Sequence, residues 1–161
     1  MKKFFQRLIC VSFLIFYFFQ IEQVQSLVPY YYLPTKKNLE REGLSIGKTA
    51  YQLLYFGQYE QSLNLAKLAT QINKNDEKLW LILSEAQVAN KLYKNALISL
   101  NKAQKINPKN SESYILKSNI YIKLSKLQNA KDALETALRI ESNNYKAIFQ
   151  LGNILLIEKN Y

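Results

Sequence analysis

The sequence predicts an all-α protein of stacked antiparallel helix pairs with a hydrophobic helix at its amino end. Three observations carry that prediction. Glycine and proline number only 4 and 3 among 161 residues, too few for the turns of an all-β sandwich. A hydrophobic content of 48%, with 12 Tyr and 8 Phe, suffices for a helical core. Apolar residues recur at helical spacing in short segments, and the segments themselves repeat along the chain at a fixed period. The length fits one domain.

Residues 1–26 read as a membrane anchor or a signal segment. Lys2, Lys3 and Arg7 precede an apolar run from Leu8 to Ile21 that Glu22 closes. Such a run matches the apolar core of a signal peptide, and Val24-Gln25-Ser26 is a passable cleavage site. A membrane span needs about 20 apolar residues, which residues 4–28 supply if Phe4, Phe5, Val24, Leu27 and Val28 are counted in. The basic amino end favours retention on the cis side, whereas Lys36, Lys37 and Arg41 beyond the run oppose it, so topology and cleavage both stay open. Cys10 sits inside the run, where packing is its expected role.

Residues 27–42 read as an extended linker, because Pro29 and Pro34 flank Tyr30, Tyr31 and Tyr32 and a proline disfavours helix in the residue before it. From Gly43 onward the period is 34: Ala69, Ala103 and Ala137 share one column, Ala96 and Ala130 another with Ser62 in register, and Ile46, Trp80, Tyr114 and Ile148 a third. Tyr59, Tyr93, Leu127 and Tyr161 form a fourth column, at the short polar turn that divides each unit into two helices. The predicted helices cover 44–56, 60–73, 77–90, 94–106, 111–124, 128–140 and 145–158. They group as units 43–76, 77–110, 111–144 and a partial 145–161.

These columns resemble the tetratricopeptide repeat family, whose period is 34 residues. Residues 77–110 carry its pattern best, with Trp80, Leu83, Ser84, Tyr93, Ala96, Leu100, Ala103 and Pro108 at the family's marked positions. The unit at 111–144 keeps Tyr114, Ser118, Tyr121, Ala130, Leu134 and Ala137 but has Lys117 where the family has Leu. The resemblance implies a right-handed superhelix whose concave face is lined by the first helix of each pair. Its groove positions fall here on Tyr51, Leu54, Tyr55, Lys78, Leu81, Glu85 and Val88, and on Ile115, Asn119, Ile122, Lys123, Phe149, Asn153 and Leu156, with Leu44 beside them. It also implies a protein partner held as an extended peptide segment, with Asn119 and Asn153, one repeat apart, offering amides to its backbone. Tyr51 and Glu85 stand where chaperone-binding relatives carry a clamp for a terminal carboxylate, so recognition of a chaperone tail is disfavoured. The apolar run Ile154-Leu155-Leu156-Ile157 leads us to expect self-association through helix 145–158, or another partner there.

The composition argues against catalysis. With no His and one Cys the chain cannot build a Cys/His metal site, a Ser-His-Asp triad or a Cys-His dyad, and no cofactor, metal site or enzymatic activity is expected. Gly47-Lys48-Thr49 imitates the end of a phosphate-binding loop, but Glu42 occupies the place of the required first glycine and the region reads as helix. The formal charge of +10 is diffuse, so nucleic acid is not the expected partner, although helical-repeat RNA binders keep that alternative in view.

The whole chain further resembles the family of small membrane-bound tetratricopeptide proteins of cyanobacteria and algal plastids known as hypothetical chloroplast reading frame thirty-seven. The features that carry this are the basic hydrophobic amino end, the spacer Tyr31-Tyr32-Leu33-Pro34, three and a half repeats and an Asn/Lys/Ile-rich composition. It implies a non-catalytic accessory factor in photosystem I assembly or stability, at the plastid thylakoid membrane, gripping a photosystem I subunit or an assembly factor. In that family the repeats face the stroma, opposite to what Lys2, Lys3 and Arg7 suggest. An exported or periplasmic adaptor with a cleaved leader is the alternative from another class.

Overall fold

The computed structural model describes residues 35–159, which form seven α-helices and no strand. In chain order they are α1 (Lys36–Tyr55), α2 (Tyr59–Ile72), α3 (Glu77–Ala89), α4 (Tyr93–Ile106), α5 (Ser111–Lys123), α6 (Leu127–Ile140) and α7 (Tyr145–Lys159). Six of these match the predicted spans to within a residue at either end. The expected amino-terminal anchor lies outside the described residues. Among the described residues no helix is long and apolar enough to cross a membrane.

The first helix departs from expectation. It begins at Lys36 instead of residue 44, so residues 36–42 are helical and not part of an extended linker. Thr35, directly after Pro34, is its N-cap: the backbone is extended there and the hydroxyl accepts from the Asn38 N–H at 3.3 Å. Gly43 had looked like a boundary but lies inside the helix, where a Cβ would stand 3.0 Å from the Asn73 Cβ. Gly47, one turn on, makes room for α3, since a Cβ there would collide with the buried side chain of Leu79. Both glycines are contact points, not breaks.

The hairpin turns share one geometry. Gly57, Lys91 and Ser125, each 34 residues from the next, adopt φ of 75°, 60° and 57°. In each case the residue after them donates its N–H five residues back: Gln58 to the Leu53 carbonyl, Leu92 to Gln87 and Lys126 to Tyr121. This is a Schellman closure, and it reverses the chain in the fewest residues. The links between pairs are equally regular. Asp76, Asn110 and Asn144 cap α3, α5 and α7 by accepting from backbone N–H groups two residues ahead, at 2.8, 3.0 and 3.1 Å. Asn110 also donates to Glu77 at 3.0 Å and Asn144 to Glu141 at 2.8 Å, tying each cap to the unit before it.

Packing follows the small columns. Ala50, Ser84 and Ser118 on the first helices and Ser62, Ala96 and Ala130 on the second are all at most 1% exposed. Short side chains at these crossings let helix axes approach closely while Leu63, Leu83, Leu100 and Leu134 fill the space beside them. Three clusters result, one built on Ala50, Leu63, Ala66, Leu83 and Ala86, one on Ala96, Leu100 and Ile120, and one on Ile115, Ala130, Leu134, Ala147 and Ile154. Helix α7 enters the last of these through Ala147 and Ile154 alone among its fully buried residues. Of the run Ile154-Leu155-Leu156-Ile157, Ile154 is thus in the core while Leu155, Leu156 and Ile157 are exposed, as are Tyr145, Ile148 and Phe149 on the same helix.

Candidate functional site: an apolar cavity across three first helices

A cavity of about 480 Å³ opens between α1, α3 and α5. Its floor and walls are apolar, formed by Leu54, Val88, Ala89, Leu116, Ile120 and Ile122, with Tyr59 at the mouth. Besides Tyr59 and Ser84, whose hydroxyl donates to the Leu81 carbonyl, three polar side chains line it: Glu85 from α3, and Asn119 and Lys123 from α5. None of the three makes a hydrogen bond or ion pair to another described residue. They are available to a ligand.

Six groove residues read from the sequence thus meet in one place: Leu54, Glu85, Val88, Asn119, Ile122 and Lys123. The others divide. Tyr51 and Tyr55 stand on the exposed side of α1, Tyr55 meeting Phe56 edge-on with ring centroids 5.6 Å apart. Lys78 is exposed at the start of α3. Leu81 is half-buried and packs on the Ala96, Leu100 and Ile120 cluster. Ile115 is a correction: at 2% exposure it belongs to the core beneath α5 and offers no surface to a partner. It sits one turn before Asn119, on the side of α5 that α6 and α7 cover. Phe149, Asn153 and Leu156 are exposed on α7 outside the cavity, so of the paired asparagines only Asn119 lines it.

Tyr59, Ser84, Ala89, Leu116 and Ile120 were missed as lining residues. They flank the family's groove positions by one place or belong to its packing positions, and only the depth of the opening between α3 and α5 brings them to the surface of the cavity.

Electrostatically the cavity is dominated by Glu85. Burial pushes its carboxyl above the ordinary glutamate range, Glu112 on α5 pushes it further, and Lys146 on α7 pulls the other way. Lys146 is itself engaged by Glu112 at 3.6 Å, which leaves Glu85 poorly compensated. A second opening, of about 490 Å³, lies between α2 and α4, where the Lys102 ammonium stands 4.3 Å from the Trp80 ring centroid. Trp80 also donates its indole N–H to the Lys74 carbonyl at 2.8 Å, so it is held as a structural residue. Among the described residues no group of His, Cys, Asp or Glu is placed to hold a metal ion.

Residues 77–110 and 111–144 each match the tetratricopeptide repeat family. Those 68 residues, fewer than half of the 161, are similar to two tetratricopeptide repeats. The pair α1–α2 continues their register, as the buried columns at Ala50 and Ser62 show. A curated relative, sperm-associated antigen 1 of Rattus norvegicus, is 37% identical over 79 residues, covering 47% of this chain; the matched region is 9% of the relative's own length. Solved tetratricopeptide structures share the fold. The first such domain of Spaghetti (RPAP3), bound to an HSP90 peptide SRMEEVD, superposes with a TM-score of 0.69 at 20% identity over 74% of this chain and 95% of that one. The tetratricopeptide domain of Arabidopsis OM64 gives 0.67 at 16% identity, over 72% and 96%. The type III secretion chaperone SycD of Yersinia enterocolitica, in complex with a peptide of the translocator YopD, gives 0.64 at 16% identity, over 71% and 92%. Tetratricopeptide folds mediate protein–protein contacts and are typically non-catalytic.

Proposed function

We propose that this chain is a non-catalytic scaffold that holds an extended segment of another protein in the cavity between α1, α3 and α5. The observation that carries the reading is the pairing of an apolar lining with three uncommitted polar side chains, Glu85, Asn119 and Lys123, in the same cavity. An extended peptide needs both: aliphatic burial supplies affinity and fixed donors and acceptors set register. Asn119 offers an amide that donates and accepts at once, suited to a backbone. The peptide complexes of RPAP3 and SycD support the same class of ligand for this fold. Glu85 inside the cavity speaks against an acidic tail such as SRMEEVD in that position.

The resemblance of the whole chain to reading frame thirty-seven supports a finer version, in which the bound segment belongs to a photosystem I subunit or assembly factor and the chain acts at the thylakoid membrane. Affinity capture from detergent-solubilised thylakoids tests it, and an eluate free of photosystem I proteins defeats it. The general reading is tested by selecting a random peptide library on the full chain. Val88→Trp, which fills the cavity, should abolish enrichment while circular dichroism stays helical; peptides that bind the variant as well as the parent would place the site elsewhere.

A further inference from the structure

Resting on that reading, we infer that the segment held in the cavity is cationic as well as aliphatic: a Lys or Arg reaches Glu85 while a neighbouring aliphatic residue occupies the apolar floor. The argument begins with what Glu85 lacks. A carboxylate on a cavity wall ordinarily finds a cation or N–H donors. Among the described residues Glu85 makes no hydrogen bond or ion pair: Lys146 on the next first helix attracts it without pairing with it, and Lys123 lines the same cavity. Lys146 is taken by Glu112, and Lys123 is exposed and forms no ion pair with Glu85. The acid is held ready for an external partner.

The surroundings set the partner's chemistry. Leu116, Ile120 and Val88 beside the carboxylate give an aliphatic stem a surface to lie on, so a long basic side chain can bury its methylenes and deliver its charge to the acid. An acidic segment would add a third carboxylate to Glu85 and Glu112 in a poorly solvated space. A neutral aliphatic segment would fill the floor and cover the acid with nothing, which burial makes unfavourable. Of the three charge classes only the basic one gives Glu85 a counter-charge, and the repulsion it meets from Lys123 is weakened by that side chain's exposure to water.

Fluorescence anisotropy on the full chain, with fluorescein-labelled, amidated peptides of sequence Gly-Leu-Ser-Xaa-Leu-Ser-Gly, decides the matter. In an extended strand the first Leu and Xaa point the same way, matching floor and acid. With Xaa as Lys, Gln and Glu, the expected order is Lys tightest, Gln weaker by about tenfold and Glu weaker still, as for a charge-assisted contact made out of water. In Glu85→Gln the Lys peptide should bind no tighter than the Gln peptide while the aliphatic contribution remains. Lys123→Met, which removes the other cation of the cavity, should widen the Lys preference in the parent background. Equal binding of the three peptides to the parent chain, or the same order in Glu85→Gln, overturns the inference and leaves the scaffold reading standing. Binding of none of them, together with no enrichment from the random library, overturns both.

Discussion

Glu85 also affects folding, and the sign follows from the direction of its shift. A carboxyl whose folded-state affinity for the proton is raised destabilises the fold wherever it must ionise, so stability falls as pH rises from the ordinary glutamate range through the raised value, and the penalty is full above it. The groups facing it are Glu112, which deepens the penalty, and Lys146, which lessens it, with Lys123 lining the same cavity. Glu85→Gln is therefore expected to raise the melting temperature at pH 7, with the gain vanishing near pH 4. A variant less stable than the parent at pH 7 would show that the acid has a partner in the folded chain. Lys91 and Ser125 pose a backbone question at the same scale. Both hold the left-handed conformation that Gly57 holds in the first hairpin, and both carry a Cβ there. Lys91→Gly and Ser125→Gly should each stabilise by about 0.5–1 kcal/mol in urea titrations, the relief of strain outweighing the added freedom of the unfolded chain. Sequence alone marks this position only at Gly57. The other two become visible when the 34-residue register is laid over the torsion angles, because neither Lys nor Ser announces a positive φ.

Caps, more than hydrophobic pattern, decide where one helix pair hands over to the next. The apolar columns predicted six helices to within a residue at either end, yet missed the start of α1, where Thr35 is an ordinary N-cap after a proline and the repeat register begins only at Gly43. A helical glycine that exists for close contact cannot be told from one that ends a helix until the facing element is known. The asparagine caps were legible as residues but not as links. Asn110 both accepts from Glu112 N–H and donates to Glu77, whose other carboxylate oxygen is buried without a partner, while Asp76 performs only the capping half of this task. Asp76→Ala should thus cost about 1 kcal/mol and Asn110→Ala about 2 kcal/mol, the difference measuring the exposed need of Glu77. Equal losses in chemical denaturation would mean that the bridge to the preceding repeat contributes nothing.

Across the whole described chain, stability is distributed as a row of neighbour contacts. Each of the three clusters draws on three consecutive helices, and none spans from α1 to α7. In such an array the elements with neighbours on both sides are held by two junctions and the outer ones by a single junction. The cavity that offers Glu85 and Asn119 sits on α3 and α5, within the doubly supported middle. That placement fits a binding wall that must keep its shape, and it was only partly legible: the family pattern named the right helices but could not give the depth that brings Leu116 and Ile120 into the cavity and leaves Ile115 behind in the core. Amide hydrogen exchange should therefore be slowest in α3, α4 and α5 and faster in α1 and α7. Ala96 is fully buried in the middle cluster, and Ala96→Leu inserts three carbons where Leu100 and Ile120 already meet. The cost is about 1–3 kcal/mol, and because the junction it breaks separates the two outer clusters, protection should drop in α3–α5 while the cluster holding Ala50 and Ala66 and the one holding Ala130 and Ala147 persist. A uniform loss of protection from end to end would show instead that the chain unfolds as one indivisible unit, and the binding wall would then owe its rigidity to the molecule as a whole and not to its central position.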